Sequence, residues 1–320
     1  MKQTIENNIC RLSKFDVHEY LGNIIGKRYI EYRKAWDSAC PDNIPVFPIH
    51  LDLELADRCN KKCHFCPRNL ETHPNFKGLI GTGAVLSDRV IKNLVKECSE
   101  KNLYSINFGT GNEPLLCDNL IDVLESFHAG GVVDSWVITN GVLLSRWTNR
   151  ILGSSLVNLY VSIDAYTEDT YRSLRGIGFD TVRQAVLDLI DERERRNLAL
   201  PLVRVSFIEH PYNVHELEPF ISFWQDKVDF IDAQTFYDYR LQDDGPPRTK
   251  KRDCLDPYRR LAVHATGLVV PCASDFGLDL HIGNVKNQSL EEIWNGAGLA
   301  KVREDLRRNS NSKCAFCLTM

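Results

Sequence analysis

Between residues 49 and 236 the sequence alternates strand-like and helix-like stretches, and that rhythm leaves few folds open to the chain. Six segments rich in Val, Ile, Leu and aromatic residues read as buried strands: 49–55, 103–108, 135–139, 158–164, 202–208 and 229–236. Between them, apolar residues recur three and four apart. Val90, Ile91, Leu94 and Val95 form one face behind a candidate N-cap at Ser87. Leu120, Val123, Leu124 and Phe127 form a second, and Val182, Ala185, Val186, Leu189 and Ile190 a third. Strands alternating with helices predict an α/β fold with a parallel sheet and helices packed outside it. Six such units fall short of the eight of a closed TIM barrel. The expectation is an open, partial (β/α)6 TIM-like barrel, with an open doubly wound sheet as the competing topology.

The flanks read differently. Gly245-Pro246-Pro247, followed by Arg248, Lys250, Lys251 and Arg252, marks a linker. The division expected is an N-terminal helical extension over 1–48, a barrel over 49–245 and a small C-terminal domain over 246–320. The extension holds a helical candidate at 19–39, closed by a breaker cluster from Cys40 to Pro45. A tail of some seventy residues is short for its own hydrophobic core, so a metal centre would be a natural staple.

Composition bounds the setting. The chain has 320 residues, a formal net charge of −4, and 43% hydrophobic and 26% charged residues. Such a balance gives no electrostatic ground for nucleic acid or an anionic membrane as partner. No apolar run is long enough to span a bilayer, and the first residues lack the apolar core of a signal peptide. The expected location is the cytoplasm. There, clustered cysteines bind metal more often than they pair. Of 11 cysteines, Cys10, Cys40, Cys98 and Cys117 are scattered and read as packing residues. The other seven fall into two sets.

Cys59, Cys63 and Cys66 have the spacing C-x3-C-x2-C directly after the first strand. Three thiolates can hold three irons of a [4Fe–4S] cube and leave the fourth open to an outside ligand. A zinc site completed by His64, or a purely electron-transferring cluster, are the alternatives. Cys254, Cys272, Cys314 and Cys317 form the second set, spaced C-x17-C-x41-C-x2-C. Four thiolates saturate a cube and leave no open iron. A structural zinc is the alternative there.

The first set, with Phe65 at its aromatic position, resembles the signature of the radical S-adenosylmethionine (SAM) superfamily. The resemblance implies that SAM chelates the open iron and is cleaved reductively to methionine and a 5′-deoxyadenosyl radical. Gly109-Thr110-Gly111-Asn112-Glu113-Pro114 resembles the family's GGEP motif, with Asn112 in place of a glycine. Gly111, Asn112 and Glu113 are thereby implied to meet the SAM amino group. Thr139-Asn140-Gly141 resembles a common family turn. Ser162 and Asp164, ending the fourth strand, resemble the segment that meets the SAM ribose and carboxylate, and Arg175 matches an arginine on that carboxylate. All these candidates follow the C-terminal ends of strands, the face where barrel active sites assemble. The surroundings of the second set resemble the SPASM/twitch extension of the same family. Its one-cluster form is implied, because the sequence has no cysteine after Cys317.

Two [4Fe–4S] clusters and SAM are therefore the expected cofactors. A small-molecule substrate and a flavodoxin- or ferredoxin-type electron donor are the expected partners. The leading reading is a two-electron oxidation of a sugar or cyclitol alcohol. A maturase of a ribosomally made peptide, and a non-catalytic iron–sulfur or zinc protein, are the competing classes. The last leaves unexplained why one cysteine set has three members and the other four. His210, Tyr237, Asp238, Tyr239 and Arg240 stand at the expected barrel mouth without singling out a base, so the catalytic residue is left unassigned. Anaerobically reconstituted protein should contain about eight irons and eight sulfides, two cubes. Replacing Cys59, Cys63 and Cys66 together by Ala should leave about half in iron and sulfide assays. Stoichiometric zinc with no iron–sulfur absorption would overturn both assignments.

Overall fold

A computed structural model describes residues 1–6, 9–69, 81–236, 254–308, 310 and 314. The Gly245-Pro246-Pro247 linker, the basic run after it, Tyr237 to Arg240, and Cys317 lie outside the described residues.

The chain opens on a hairpin, β1 (Lys2–Glu6) and β2 (Ile9–Ser13), then two helices, α1 (Val17–Ile25) and α2 (Lys27–Ser38). All six expected strands form: β3 (His50–Leu53), β4 (Ser105–Phe108), β5 (Asp134–Thr139), β6 (Asn158–Ser162), β7 (Leu202–Glu209) and β8 (Phe230–Thr235). They pair in parallel and in sequence order. A doubly wound sheet reverses its strand order midway. This one does not, and it is a partial barrel. Helices α3 (Asp88–Glu100), α4 (Leu120–Ala129), α5 (Leu144–Leu152), α6 (Glu168–Arg175), α7 (Phe179–Arg195) and α8 (Leu217–Trp224) fill the crossovers. Ser87 caps α3 as expected, its hydroxyl accepting from Val90 N at 3.4 Å.

The period of two along each strand sends alternate side chains to opposite faces. Leu51, Ile106, Val137, Leu159, Val203 and Ile231 pack outward with the apolar faces of α3, α4, α5, α7 and α8 in one core. The opposite positions are largely polar: Asp52, Asn107, Asp134, Arg204 and Asp232, with Trp136, Ile138 and Tyr160, line a chamber inside the barrel.

The N-terminal extension is not wholly helical. Its hairpin pairs antiparallel with β8 and carries the sheet past that edge. The 19–39 helix is two helices, broken at Gly26, whose φ of 88° ends one and starts the other. Tyr29 and Tyr32 pack with Ile49, Val157, Leu202 and Phe230, which stand at the N-terminal ends of barrel strands. The two helices thus plug that end.

Nor does the C-terminal segment stand apart. Strand β9 (Arg260–Val263) pairs in parallel with β3, and β10 (Leu268–Val270) and β11 (Gly283–Asn284) follow antiparallel, giving an 11-stranded sheet. Helices α9 (Leu290–Trp294) and α10 (Ala297–Arg308) send Leu290, Ile293, Trp294, Leu299 and Val302 into the barrel's own core. Glu97 of α3 accepts from Leu290 N at 2.9 Å and Glu291 N at 2.8 Å, capping α9 from the neighbouring element. Shared packing supplies the core that the tail's length does not.

Arg193 and Asp229 tie α7 to the turn before β8. Arg193 donates to Asp229 at 2.5 Å and to Pro201 O at 2.8 Å, and Val203 N donates to the same carboxylate at 2.7 Å. Asp229→Ala leaves a buried guanidinium without its counter-charge, and the expected cost is about 3–5 kcal/mol, read as a lowered urea midpoint. A loss under about 1 kcal/mol would mean that the pair behaves as a surface one.

Candidate active site

The loop after β3 carries the first cysteine set. Cys66 N donates to Cys63 O at 3.1 Å and Asn69 N to Cys66 O at 2.9 Å, folding the segment into consecutive turns. His64 N donates to Leu174 O at 2.8 Å and so fastens the loop to α6. Further along, Arg68 pairs with Asp57, whose carboxylate also accepts from Gly81 N at 3.0 Å and Thr82 N at 2.6 Å. Burial raises all three thiols above the ordinary cysteine range, and Cys66 is pushed up to about 12. Neighbouring thiols add to the rise: Cys63 and Cys59 raise Cys66, and Cys63 raises Cys59. Cys63 is buried and Cys59 and Cys66 are half-buried, three thiols that resist ionising together, and all-sulfur ligation suits iron–sulfur chemistry. Among the described residues, no three His, Cys, Asp or Glu side chains are grouped as a single ion requires. A four-iron cube holds its thiolates at separate corners, further apart than one tetrahedral ion does.

Glu113 follows β4. It is buried, and both its oxygens are engaged. Oε1 accepts from Leu115 N at 3.1 Å and from the Thr139 hydroxyl at 2.7 Å, and Oε2 accepts from Asn140 N at 2.7 Å. Burial raises its carboxyl, and those three donors act against the rise. The turn Thr139-Asn140-Gly141 is thus part of the site, a role the sequence motif signalled but did not specify. Asn140 Nδ2 donates to Asn60 Oδ1 at 2.7 Å and lies 3.9 Å from Cys59 Sγ.

The glycine-rich loop turns elsewhere than its Asn112 substitution suggests. Gly109 takes the left-handed φ of 111°, and a Cβ there would lie 2.4 Å from Ile138 O. Neither Gly111 nor Asn112 has a positive φ. The left-handed tolerance of asparagine is therefore not what admits it. Asn112 Oδ1, one residue before Glu113, is buried without a hydrogen-bond partner. Phe276, from the C-terminal segment, stands 3.8 Å from where a Gly111 Cβ would lie.

Ser162 ends β6, in register with Ser206 of β7. Two residues on, Asp164 is fully buried with a φ of 58°. A non-glycine residue there stores strain that its surroundings must hold. Ile208 N donates to Asp164 Oδ1 at 2.8 Å, Asn213 Nδ2 to its carbonyl at 2.8 Å, and Arg175 Nε to Oδ2 at 2.5 Å. Arg175 closes α6 and continues to Cys63, with Nη1 3.8 Å from Sγ and its guanidinium 5.4 Å from the Phe65 ring centre. One guanidinium therefore joins the end of β6 to the cysteine loop. Glu216 pins the loop between them, accepting from Tyr166 N at 2.7 Å and the Thr170 hydroxyl at 2.7 Å. Glu216 carried no sequence signal of a role, and Asn213 only that of its place after the fifth strand. His210 is buried among Phe65, Tyr212 and Phe236 at the same mouth.

So Cys59, Cys63, Glu113, Asp164 and Arg175 form one connected group, and Gly111 and Asn112 border it. In the second set, Cys272 follows β10, and its charge acts on Arg260 of β9. Cys254 acts on Tyr258, while Cys314 is half-buried.

Comparison with known proteins follows the same division. The model of the radical SAM superfamily matches residues 53–203, and that of an iron–sulfur cluster-binding domain matches residues 254–318. A GTP 3′,8-cyclase of Thermodesulfovibrio yellowstonii is 27% identical over 183 residues, which cover 57% of this chain and 53% of that protein. The chain thus spans about half the length of the curated relatives it matches. Two solved structures share the fold. BtrN in complex with AdoMet and 2-DOIA has a TM-score of 0.52 at 18% identity, covering 83% of this chain and 91% of that one. Streptococcus suis SuiB bound to precursor peptide SuiA has a TM-score of 0.57 at 15% identity, covering 96% of this chain and 76% of that one. Among the described residues no helix is long and apolar enough to cross a membrane.

Gly109→Ala forces a side chain into left-handed backbone against Ile138 O, at about 1–3 kcal/mol of strain. SAM affinity, measured by equilibrium dialysis, should fall about tenfold or more. Asn112→Gly, at a position with no positive φ, removes one acceptor and leaves the turn in place, so its loss of affinity should be smaller than that of Gly109→Ala. The reverse order would show that the loop is not held by Gly109.

Proposed function

We propose that this chain, which belongs to the radical SAM superfamily and carries an iron–sulfur cluster-binding domain, oxidises a small-molecule alcohol by two electrons. It is an enzyme whose cofactors are [4Fe–4S] clusters and SAM. When bound, SAM and its cluster supply a hydrogen-abstracting radical, and the auxiliary cluster supplies an electron acceptor. The observation that carries the reading is the single connected group in which Arg175 joins Asp164 to the cysteine loop, beside Glu113.

In this reading Cys59, Cys63 and Cys66 hold the SAM-binding cluster, and Cys254, Cys272, Cys314 and Cys317 the auxiliary one. Glu113, anchored by Thr139 and Asn140, has lone pairs left on Oε2 for the SAM amino group, and Asn112 Oδ1 adds an unfilled acceptor. Gly111 offers close backbone approach. Ser162 meets the ribose. Asp164 holds Arg175 in place, and Arg175 answers the SAM carboxylate. A sugar or cyclitol alcohol is the substrate class: its carbinol carbon gives up a hydrogen atom, and the remaining electron and hydroxyl proton leave to form a ketone. A flavodoxin- or ferredoxin-type protein is the proposed reductant.

Two measurements test this. With dithionite, wild-type protein should convert SAM to 5′-deoxyadenosine, and Cys59→Ala, Cys63→Ala or Cys66→Ala should abolish the conversion. With candidate alcohols, the product should be lighter by two hydrogens, one per SAM consumed. An isomeric product of unchanged mass, or turnover only with a peptide, would sink the oxidation.

A further inference from the structure

Inside the barrel, behind the plug at its N-terminal end, lies a chamber of about 740 Å³. Pockets of this size enclose small ligands. It adjoins the site above. Tyr160 lines it two residues before Ser162 on the same face of β6, and Arg204 two residues before Ser206 on β7. That step along a strand is about 7 Å.

Three properties of the wall limit what it takes. Five arginines and five aspartates line it, and most face one another. Arg11 and Arg204 share Asp232 at 2.8 and 2.9 Å, Arg33 meets Asp37 at 3.2 Å, and Arg260 lies 3.5 Å from Asp52. Cations neutralised in this way leave no surplus positive charge for a polyphosphate. Second, buried polar atoms at the wall lack a hydrogen bond: Asp52 Oδ2, Asn107 Oδ1, Arg33 Nε and Arg204 Nε. Donors and acceptors stand there together, and an unmet buried polar atom costs free energy that a ligand hydroxyl or amine removes. Third, Trp36, Trp136 and Tyr160 supply flat aromatic surface, which they share with guanidiniums of the same wall: Arg204 lies over Trp136 and Tyr160, and Arg33, Arg259 and Arg260 over Trp36.

Eleven of the 24 lining residues come from the first 37 of the chain, a stretch that precedes the superfamily match at residue 53. We propose that this N-terminal plug forms the wall of the substrate chamber and selects an uncharged or amine-bearing polyhydroxylated ring, with Arg33 and Trp36 as specificity-determining residues. Aromatic faces meet the ring's C–H surfaces, and paired Arg and Asp side chains meet its hydroxyls. The inference rests on the proposed oxidation and names what the plug contributes to it.

The test is anaerobic titration calorimetry of the reconstituted holoenzyme with SAM, using glucose, glucosamine and myo-inositol as probes and GTP as a contrast. At least one ring should bind more tightly than GTP, and Arg33→Gln and Trp36→Ala should each weaken it about tenfold. Cluster absorption and melting temperature establish that each variant is folded, and Arg33→Lys, which keeps the charge but not Nε, should also lose affinity. Wild-type protein that cleaves SAM yet binds none of the three rings, or binds GTP in preference, overturns the chamber assignment and leaves the radical chemistry standing. Unchanged ring affinity in both folded variants does the same. Wild-type protein that cleaves no SAM overturns the oxidation itself.

Discussion

Arg175 brings a full charge into the interior, and the shape of the site follows from how that charge is met. Burial alone would make the guanidinium costly. Asp164 offsets the cost, and to reach Arg175 it adopts a φ of 58° that an aspartate takes only under constraint. The constraint is visible in the amide of Ile208, the side chain of Asn213 and the backbone of Ser206, which all hold Asp164. Through Arg175 the same restraint reaches Cys63 and Phe65. The strands of a barrel are rigid and its loops are not, so a buried ion pair spanning β6, α6 and the cysteine loop sets the loop's position from the sheet.

A second constraint is the polarity of the barrel's inner face. Small barrels fill their interior with branched apolar side chains. Here Asp52, Asn107, Asp134, Arg204 and Asp232 stand in those places. Each must find a partner or remain a liability, and most do: Asn107 donates to Asp52 at 2.8 Å, Asn158 to Asp134 at 2.8 Å, and Arg204 to Asp232 at 2.9 Å. An interior of this kind is stable only if water is managed at its open end. The α1–α2 plug does that, with Leu21, Tyr29 and Tyr32 buried over the strand ends.

The barrel was legible because its strands are apolar on the outer face and its helices carry clean three-four spacing. That Cys59, Cys63, Glu113, Asp164 and Arg175 come together was legible from motifs in the segments that follow the strands. The hairpin was not. Lys2-Gln3-Thr4-Ile5-Glu6 and Ile9-Cys10-Arg11-Leu12-Ser13 are short and mixed, and they are strands because β8 offers an unpaired edge, which is tertiary information. The split of the 19–39 helix was signalled only by Gly26, and a lone glycine inside a helical pattern is tolerated often enough to pass. Asn213 and Glu216 act through backbone groups of other segments, for which sequence has no signature. At the C-terminal segment composition marks a linker, and what it does not show is that the strand beyond re-enters the same sheet.

That re-entry matters for chemistry. Strand β9 lies beside β3, the strand that delivers the first cysteine loop, so both cysteine segments hang from neighbouring strands. Arg260 on β9 faces Asp52 on β3 and Asp256, and the charge of Cys272 favours its protonated form. The same guanidinium lines the inner chamber. A substrate seated there would touch a side chain already in the field of the second cysteine set, while its far side adjoins the strand ends that carry Ser162 and Asp164. In the proposed oxidation, the side of the substrate toward Arg260 is the side toward Cys272. Sharing one sheet, rather than docking a separate domain, fixes β9 and its Arg260 against β3 by backbone pairing.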